Sequence, residues 1–439
     1  MRPVQPSSPY AQDRRDEGLS GPLPILPDYW MQRDRLHQQL PATPRQRLTL
    51  VTGPAGSGKT LLVAGWARSA APGSRRWISL PRHREVSPSF WSDLLGDVGW
   101  EALTRGSDPE AGALLVIDNV ETLACRETGA GLLDLLAAVP TAVRIVLVGR
   151  HAAALPLIDV SLDEAVAEIG GADLDFTAGE VVELYRMLGR PPSADVARAA
   201  MEQTGGWALG LRLAGVPTLR APGGSAGLPA GDLGLLTEFF EREALAGQPQ
   251  DVRELLEKVA VAPRLTVDVA EAISGRPDAG GVLERLAAEN RFVRRDGEGR
   301  FALHRLFATV LVHLLAGQGA GSVVAARRRA AAALLDAHEE EASARQLVAA
   351  RDYDDALAIR LRALRQRLEW QPGGSLEPAL PGGMPDHFLC ADPWRMYATC
   401  VALLVGEDLD EAAVWLVRLE VAAALPGAPA GMVQRAHRL

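Results

Sequence analysis

Lysine is almost absent from this chain: among 46 basic residues in 439, only Lys59 and Lys258 are lysines and the rest are arginines. Cysteine is nearly as scarce. Cys125, Cys390 and Cys400 show neither CxxC spacing nor a companion histidine pattern, which excludes a disulfide framework or zinc finger and suits reduced thiols in the cytoplasm. No stretch approaches the roughly 18 uncharged apolar residues of a membrane span, and the N-terminus has no apolar core of a secretion leader, so neither is expected. Excess positive charge is missing too. The net charge is −9 and the pI near 5.5, so the chain as a whole has no electrostatic reason to bind nucleic acid. The compact basic run Arg327-Arg328-Arg329 would fan around a helix and reads as a solvated face.

One of the two lysines stands in Gly53-Pro54-Ala55-Gly56-Ser57-Gly58-Lys59-Thr60, after the β-branched run Arg47–Thr52 and before a helical stretch from Leu61 to Arg68. That order of strand, glycine-rich loop and helix reads as a phosphate-binding loop. The glycines let successive backbone N–H groups point at phosphates, Lys59 brings charge to the β- and γ-phosphates, and the Thr60 hydroxyl can ligate Mg²⁺.

The chain has room for about three domains. Residues 1–28 carry six prolines and mixed charge and are expected to be disordered or extended. Residues 29–178 read as a parallel sheet with helices on both faces, with strands at 47–52, 76–80, 113–118 and 144–148 and a fifth around 173–176. Residues 179–234 read as a small helical domain with a Pro- and Gly-rich linker from Val216 to Gly234. Within 235–316, a helix at 236–246 leads to helices at 251–261, 267–274 and 280–290, which precede a hairpin joining 291–294 to 300–303 across Asp296-Gly-Glu-Gly299. Three helices and a hairpin are a winged-helix signature. Residues 322–439 read as helical, and the similar segments Asp352–Ala356 and Asp408–Ala412 suggest paired-helix repeats of the tetratricopeptide type.

The chemistry is expected at the C-terminal edge of the sheet. Asp118 ends an apolar strand in the Walker B position, where an acid holds Mg²⁺ beside Thr60. Asn119 follows, and its amide can position water but cannot take a proton; Glu121 is the nearest acid that could serve as base. Arg150, after the fourth strand, would face the γ-phosphate and sense its presence. His304, just after the hairpin, reads by spacing alone as a structural histidine.

The loop Gly53–Thr60, Trp77–Leu80, the strand ending at Asp118, the run Thr204-Gly-Gly-Trp-Ala-Leu-Gly-Leu211, Gln248-Pro249 and His304-Arg-Leu-Phe307 occur in the order found in MalT-like regulators. The chain resembles these large ATP-binding LuxR-type members of the STAND class of P-loop ATPases from about Pro41 to about Leu425. The resemblance implies ATP or ADP with Mg²⁺ as ligand, Lys59 and Thr60 as phosphate and metal contacts, Asp118 as Walker B acid, Arg150 as first sensor, and His304 as a winged-helix contact to the ADP phosphate. It implies a cytoplasmic transcriptional regulator, or its ATPase and sensor part. In such a switch an inducer at the C-terminal helices promotes exchange of ADP for ATP and self-association. Relatives usually carry a second acid where Asn119 stands, so slow hydrolysis is expected, although the Asp118-Asn-Val-Glu121 form resembles AfsR-type regulators. They also end in a LuxR-type helix-turn-helix, which this chain does not contain; DNA contact is therefore expected only indirectly or through a missing domain. Two other readings remain: a P-loop enzyme such as a kinase or constitutive remodelling ATPase, and a DNA-binding winged helix, against which the acids of the Asp296–Gly299 turn speak.

Overall fold

The computed structural model describes residues 21–40, 47–70, 72–80, 91, 94, 96, 100–105, 112–123, 134–151, 166–213, 230–262, 264–370, 383–405, 408–425, 429 and 431–437. Of the expectations above, those for residues 1–20 and 216–229 and for Cys125 lie outside this set. The chain divides into two compact units, one formed by residues 1–244 with 285–292 and the other by residues 245–284 with 293–439.

In the first unit, β1 (Leu48–Thr52), β2 (Arg75–Ser79), β3 (Ala113–Asp118), β4 (Val143–Gly149) and β5 (Val166–Ile169) form one sheet in the order β2-β3-β4-β1-β5, with every neighbouring pair parallel. β3 and β4 are buried along their whole length, and alternate residues feed two cores. Leu115, Ile117, Ile145 and Leu147 pack on one face with Leu94, Leu103 and Leu135. Leu114, Val116, Val146 and Val148 pack on the other with Leu62, Val63 and Ala67 of helix α1 (Lys59–Ala67). A sheet covered on both faces needs continuous apolar strands, which is what these runs supply.

The fifth strand is not at Asp173–Phe176 but at Val166–Ile169. Asp173 makes a turn instead: its Oδ2 accepts the Gly170 N–H at 2.8 Å, and the Leu174 N–H donates to the Gly170 carbonyl at 3.2 Å. The last part of the N-terminal stretch expected to be disordered, residues 21–28, is placed against the sheet. Gly21 N–H donates to the Trp77 carbonyl at 2.8 Å, and Leu23 and Leu26 pack on the core beside Trp77.

Helices α2 (Ala178–Met187), α3 (Ala194–Thr204) and α4 (Ala208–Leu213) follow the sheet. Thr177 and Glu180 close a reciprocal capping box at the start of α2, and Gly205 ends α3 in the left-handed conformation that glycine adopts without a Cβ penalty. Helix α5 (Ala230–Phe240) begins inside the stretch read as linker, because Pro and Gly density conceals an apolar run that is helical from Ala230 onward. A π-helical turn, Glu241–Leu245, continues it.

In the second unit, α6 (Gln250–Val259), α7 (Val267–Ser274) and the beginning of α8 (Ala279–Ala288) precede an antiparallel sheet in the order β6-β8-β7, formed by β6 (Arg264–Leu265), β7 (Val293–Arg295) and β8 (Phe301–Leu303). The third strand, β6, is too short to show in the sequence. At the hairpin tip Asp296 Oδ1 accepts the N–H groups of Glu298 and Arg300 at 3.1 and 2.8 Å, so the tip acids serve the turn itself. Helix α9 (Arg305–Gly317) follows, then α10 (Ser322–Asp336), α11 (Glu340–Ala350), α12 (Tyr353–Trp370), α13 (Pro393–Val405) and α14 (Leu409–Ala423). The two similar segments sit at equivalent places: Asp352 precedes α12 and Asp408 caps α14, with Ala356 and Ala412 buried one turn later. Among the described residues no helix is long and apolar enough to cross a membrane.

Candidate functional site

The loop from Gly53 to Gly58 joins the end of β1 to α1 and lies at the C-terminal edge of the sheet, where open parallel sheets place their ligand crevices. Gly56 and Gly58 take φ values of +73° and +89°. At Gly56 an added Cβ would also lie 2.8 Å from Leu209 Cβ, so conformation and space both demand glycine there. Lys59 is buried, and its Nζ donates to the carbonyls of Gly53 at 2.8 Å and Pro54 at 2.9 Å and lies 3.5 Å from Ser57 Oγ. The ammonium therefore sits inside the curve of the loop, beside the N-terminal end of α1.

Next to it, Thr60 Oγ1 donates to Asp118 Oδ2 at 3.1 Å. Burial pushes the Asp118 carboxyl up from its ordinary range, against the Asn119 N–H and the Thr60 hydroxyl, which favour its charged form. A hydroxyl and a carboxylate side by side are hard oxygen donors that fit Mg²⁺. Among the described residues no cluster of three or more His, Cys, Asp or Glu side chains could hold a metal ion.

Asn119 occupies the left-handed region, φ 66°, which asparagine tolerates better than most residues, and its Nδ2 donates to the Leu80 carbonyl at 3.1 Å. Glu121 and Arg150 meet across the edge: Arg150 Nε lies 3.5 Å from Glu121 Oε1, and Arg150 N–H donates to Glu121 Oε2 at 3.1 Å. The guanidinium also pairs with Glu243 through Nη2 and donates from Nη1 to the Glu243 carbonyl at 3.0 Å. Nothing local in the sequence marks Glu243 as a partner of Arg150, from which it is 93 positions distant. His304 belongs to the second unit, where its carbonyl opens α9 by accepting the Ala308 N–H at 2.9 Å.

A cavity of about 410 Å³ opens over these residues, within the range of small-molecule sites. Lys59, Thr60, Asp118, Asn119, Glu121 and Arg150 line one end. Tyr29, Trp30, Met31, Phe176, Leu184 and Leu188 line a more apolar part. Nothing local singles out that second set in the sequence, although Tyr29-Trp30 is an aromatic pair in a chain with only 5% aromatics.

Two devices hold the cavity walls. Trp207 anchors the loop: its Nε1 donates to the Ala55 carbonyl at 2.9 Å, and the Leu209 N–H donates to the Gly56 carbonyl at 3.1 Å. The Trp207 ring is fully buried against Phe239, Phe240 and Phe292 at centroid distances of 5.4 to 5.6 Å. The N-terminal strap is fixed by Arg33 and Arg35, which both reach Glu180 and the carbonyls of residues 173 to 175. Trp30 lies against Gly65, where a Cβ would come within 2.1 Å of the indole.

Burial alone would raise the Glu180 carboxyl, but hydrogen bonds from Arg33, Arg35 and the Thr177 N–H outweigh it and hold the group at about 2 against an ordinary 4.5. A depressed carboxylate contributes stability above its unfolded value that is lost as pH falls through the folded one. Denaturant midpoints of the chain and of Glu180→Gln are therefore expected to differ most above about pH 5 and to converge as pH drops from 4.5 toward 2. A gap constant across that range would show that the charge does not hold the strap.

Residues 241–323 match the MalT winged helix domain, a span covering α6 to α9 and the three-stranded sheet. The chain is 28% identical over 326 residues to the serine/threonine-protein kinase PknK of Mycobacterium tuberculosis, covering 66% of this chain and 29% of that one. It is 27% identical over 316 residues to the HTH-type transcriptional regulator MalT of Serratia proteamaculans, covering 64% and 34%. The chain thus spans about a third of the length of these relatives. A Walker-type ATPase of Pyrococcus abyssi aligns with a TM-score of 0.46 at 18% identity, over 63% of this chain and 93% of that one. The sequence is MalT-like over about two thirds of its length.

Proposed function

We propose that this MalT-like chain is the nucleotide-binding and sensing part of a signal-transduction switch that holds ADP or ATP with Mg²⁺ in the cavity of its first unit. The observation that carries the reading is the juxtaposition of Lys59, Thr60 and Asp118 at the open edge of the parallel sheet. The loop amides and Lys59 would take the phosphates, displacing the ammonium's bonds to Gly53 and Pro54. The apolar part around Tyr29, Met31, Leu184 and Leu188 would take the base. When bound, Mg²⁺ would neutralise phosphate charge between Thr60 and Asp118. The rest of the chemistry is restrained. The Asn119 amide is turned to the Leu80 carbonyl and cannot accept a proton, and the Glu121 carboxylate is engaged by Arg150, so neither stands ready as a base for water and turnover is slow.

In this reading the C-terminal helices, as repeats of the tetratricopeptide type, receive an inducer, and nucleotide exchange biases the chain toward self-association. The driving quantity is the nucleotide's differential affinity for the two states, for which rapid hydrolysis is unnecessary. The test is to identify the nucleotide released from purified chain and measure mass by light scattering with ADP and with a non-hydrolysable ATP analogue. Stoichiometric ADP in a monomer and a larger assembly with the analogue are expected. Steady turnover in the enzyme range of roughly 10 s⁻¹, with no change of mass, would point to an ordinary ATPase instead.

A further inference from the structure

Past Lys59, Thr60 and Asp118 the cavity wall is a compact set of opposed charges. Arg150 is held from two sides, by Glu121 and by Glu243, and Glu243 also takes a hydrogen bond from Arg242 Nε at 3.1 Å. The two acids are only 16% and 12% exposed and the guanidinium 23%, so their interactions are screened far less than those of surface pairs. Glu121, Arg150, Arg242 and Glu243 all line the cavity. An anion arriving there meets a guanidinium already shared between two carboxylates.

We propose that Glu243 is a specificity-determining residue that holds Arg150 in a carboxylate pair and thereby favours a nucleoside diphosphate over a triphosphate. This rests on the nucleotide site proposed above. A diphosphate is satisfied by the loop amides and Lys59 and leaves the Arg150 pairs undisturbed. A triphosphate brings a further anion beside Glu121 and Glu243, and that anion is accommodated only when Arg150 leaves Glu243 and turns to it. The exchange is a side-chain event, because the Arg150 backbone is fixed from both directions. Its N–H donates to Glu121 Oε2, and its carbonyl accepts from Asn290 Nδ2 at 2.6 Å. Gly149 permits the fit, since a Cβ there would lie 2.8 Å from Glu121 Oε2. Glu243 stands on the π-helical turn Glu241–Leu245, an irregularity that recurs at functional positions in helices. Glu243 is thus a positioning residue acting through Arg150.

The experiment is calorimetric titration of the full chain with ADP and with a non-hydrolysable ATP analogue, each with Mg²⁺, in four forms: unaltered, Glu243→Gln, Arg150→Ala and the double variant. Glu243→Gln is expected to raise the ratio of triphosphate to diphosphate affinity about tenfold, about 1.4 kcal/mol. In the Arg150→Ala background the same substitution is expected to move the ratio less than about threefold, because the acid then no longer restrains a guanidinium that could turn to the phosphate. A ratio that does not move, or moves equally in both backgrounds, overturns the proposal. Glu121→Gln, which relieves the other side of the guanidinium, is expected to shift the ratio in the same direction; a shift the opposite way also overturns it. No heat with either nucleotide from the unaltered chain would remove the site and this proposal together, whereas unselective binding of both would remove this proposal alone.

Discussion

Lys59→Ala is expected to weaken ADP and ATP binding by at least about a hundredfold, about 2.7 kcal/mol. Charge-assisted hydrogen bonds contribute about 1.5–3 kcal/mol each, and the ammonium would make more than one to the phosphates. The ammonium lies inside the loop, within 2.9 Å of two backbone carbonyls. Arg150, a basic side chain of the same cavity, is already paired with Glu121 and Glu243. Lys59→Arg is expected to fail as well, since a planar guanidinium does not fit where a small ammonium sits buried between carbonyls. Calorimetry on folded protein is the check, and unchanged affinity in Lys59→Ala would end the assignment of this loop to phosphate.

Trp207→Ala is expected to be the most damaging single change outside the loop. Removing a fully buried indole from among three phenylalanines costs about 3–5 kcal/mol. The Ala55 carbonyl also loses its indole donor, and the close contact that shapes Gly56 disappears. Stability and nucleotide affinity should therefore fall together. Trp207→Phe separates the two effects: it keeps most of the apolar volume but not the Nε1 donor. Hydrogen exchange of the amides from residue 55 to residue 58 is expected to accelerate in Trp207→Phe while the chain stays folded. Exchange there as slow as in the unaltered chain would show that the indole does not restrain the loop.

The parts legible in the sequence are those where local pattern and tertiary role coincide. β3 and β4 announce themselves because both faces are buried, and the phosphate loop does so because positive φ favours glycine at positions 56 and 58. Asp118 and Thr60 could be paired because the glycine-rich loop marks the junction of β1 and α1, and Asp118 closes an uninterrupted apolar strand. β5 escaped because it is four residues long and only its last is buried, while Leu174 and Phe176 alternate convincingly in what is a turn. The helix expected from Leu236 is there as α5, but its start was hidden by composition: Pro and Gly density outweighed an apolar run that is helical from Ala230. The strap escaped for a different reason. Arg33 and Arg35 are two among many arginines, and nothing local shows that their partner is Glu180, although Thr177 and Glu180 are spaced as a capping box. Glu243 was unreadable for the same cause, since its meaning comes from Arg150, 93 positions earlier.

The Arg33–Glu180 bond joins positions 147 residues apart in the chain. At ribosomal speeds of roughly 5–20 residues per second, the strap waits about 7–30 s after its own synthesis before the carboxylate that fastens it is made. Until then Tyr29, Trp30 and Met31 have no finished cavity to close, and the nascent protein must carry those side chains uncovered. Closure of the strap thus cannot precede synthesis of Glu180, and a ribosome stalled short of that residue would present an apolar N-terminal segment to chaperones rather than a competent binding site.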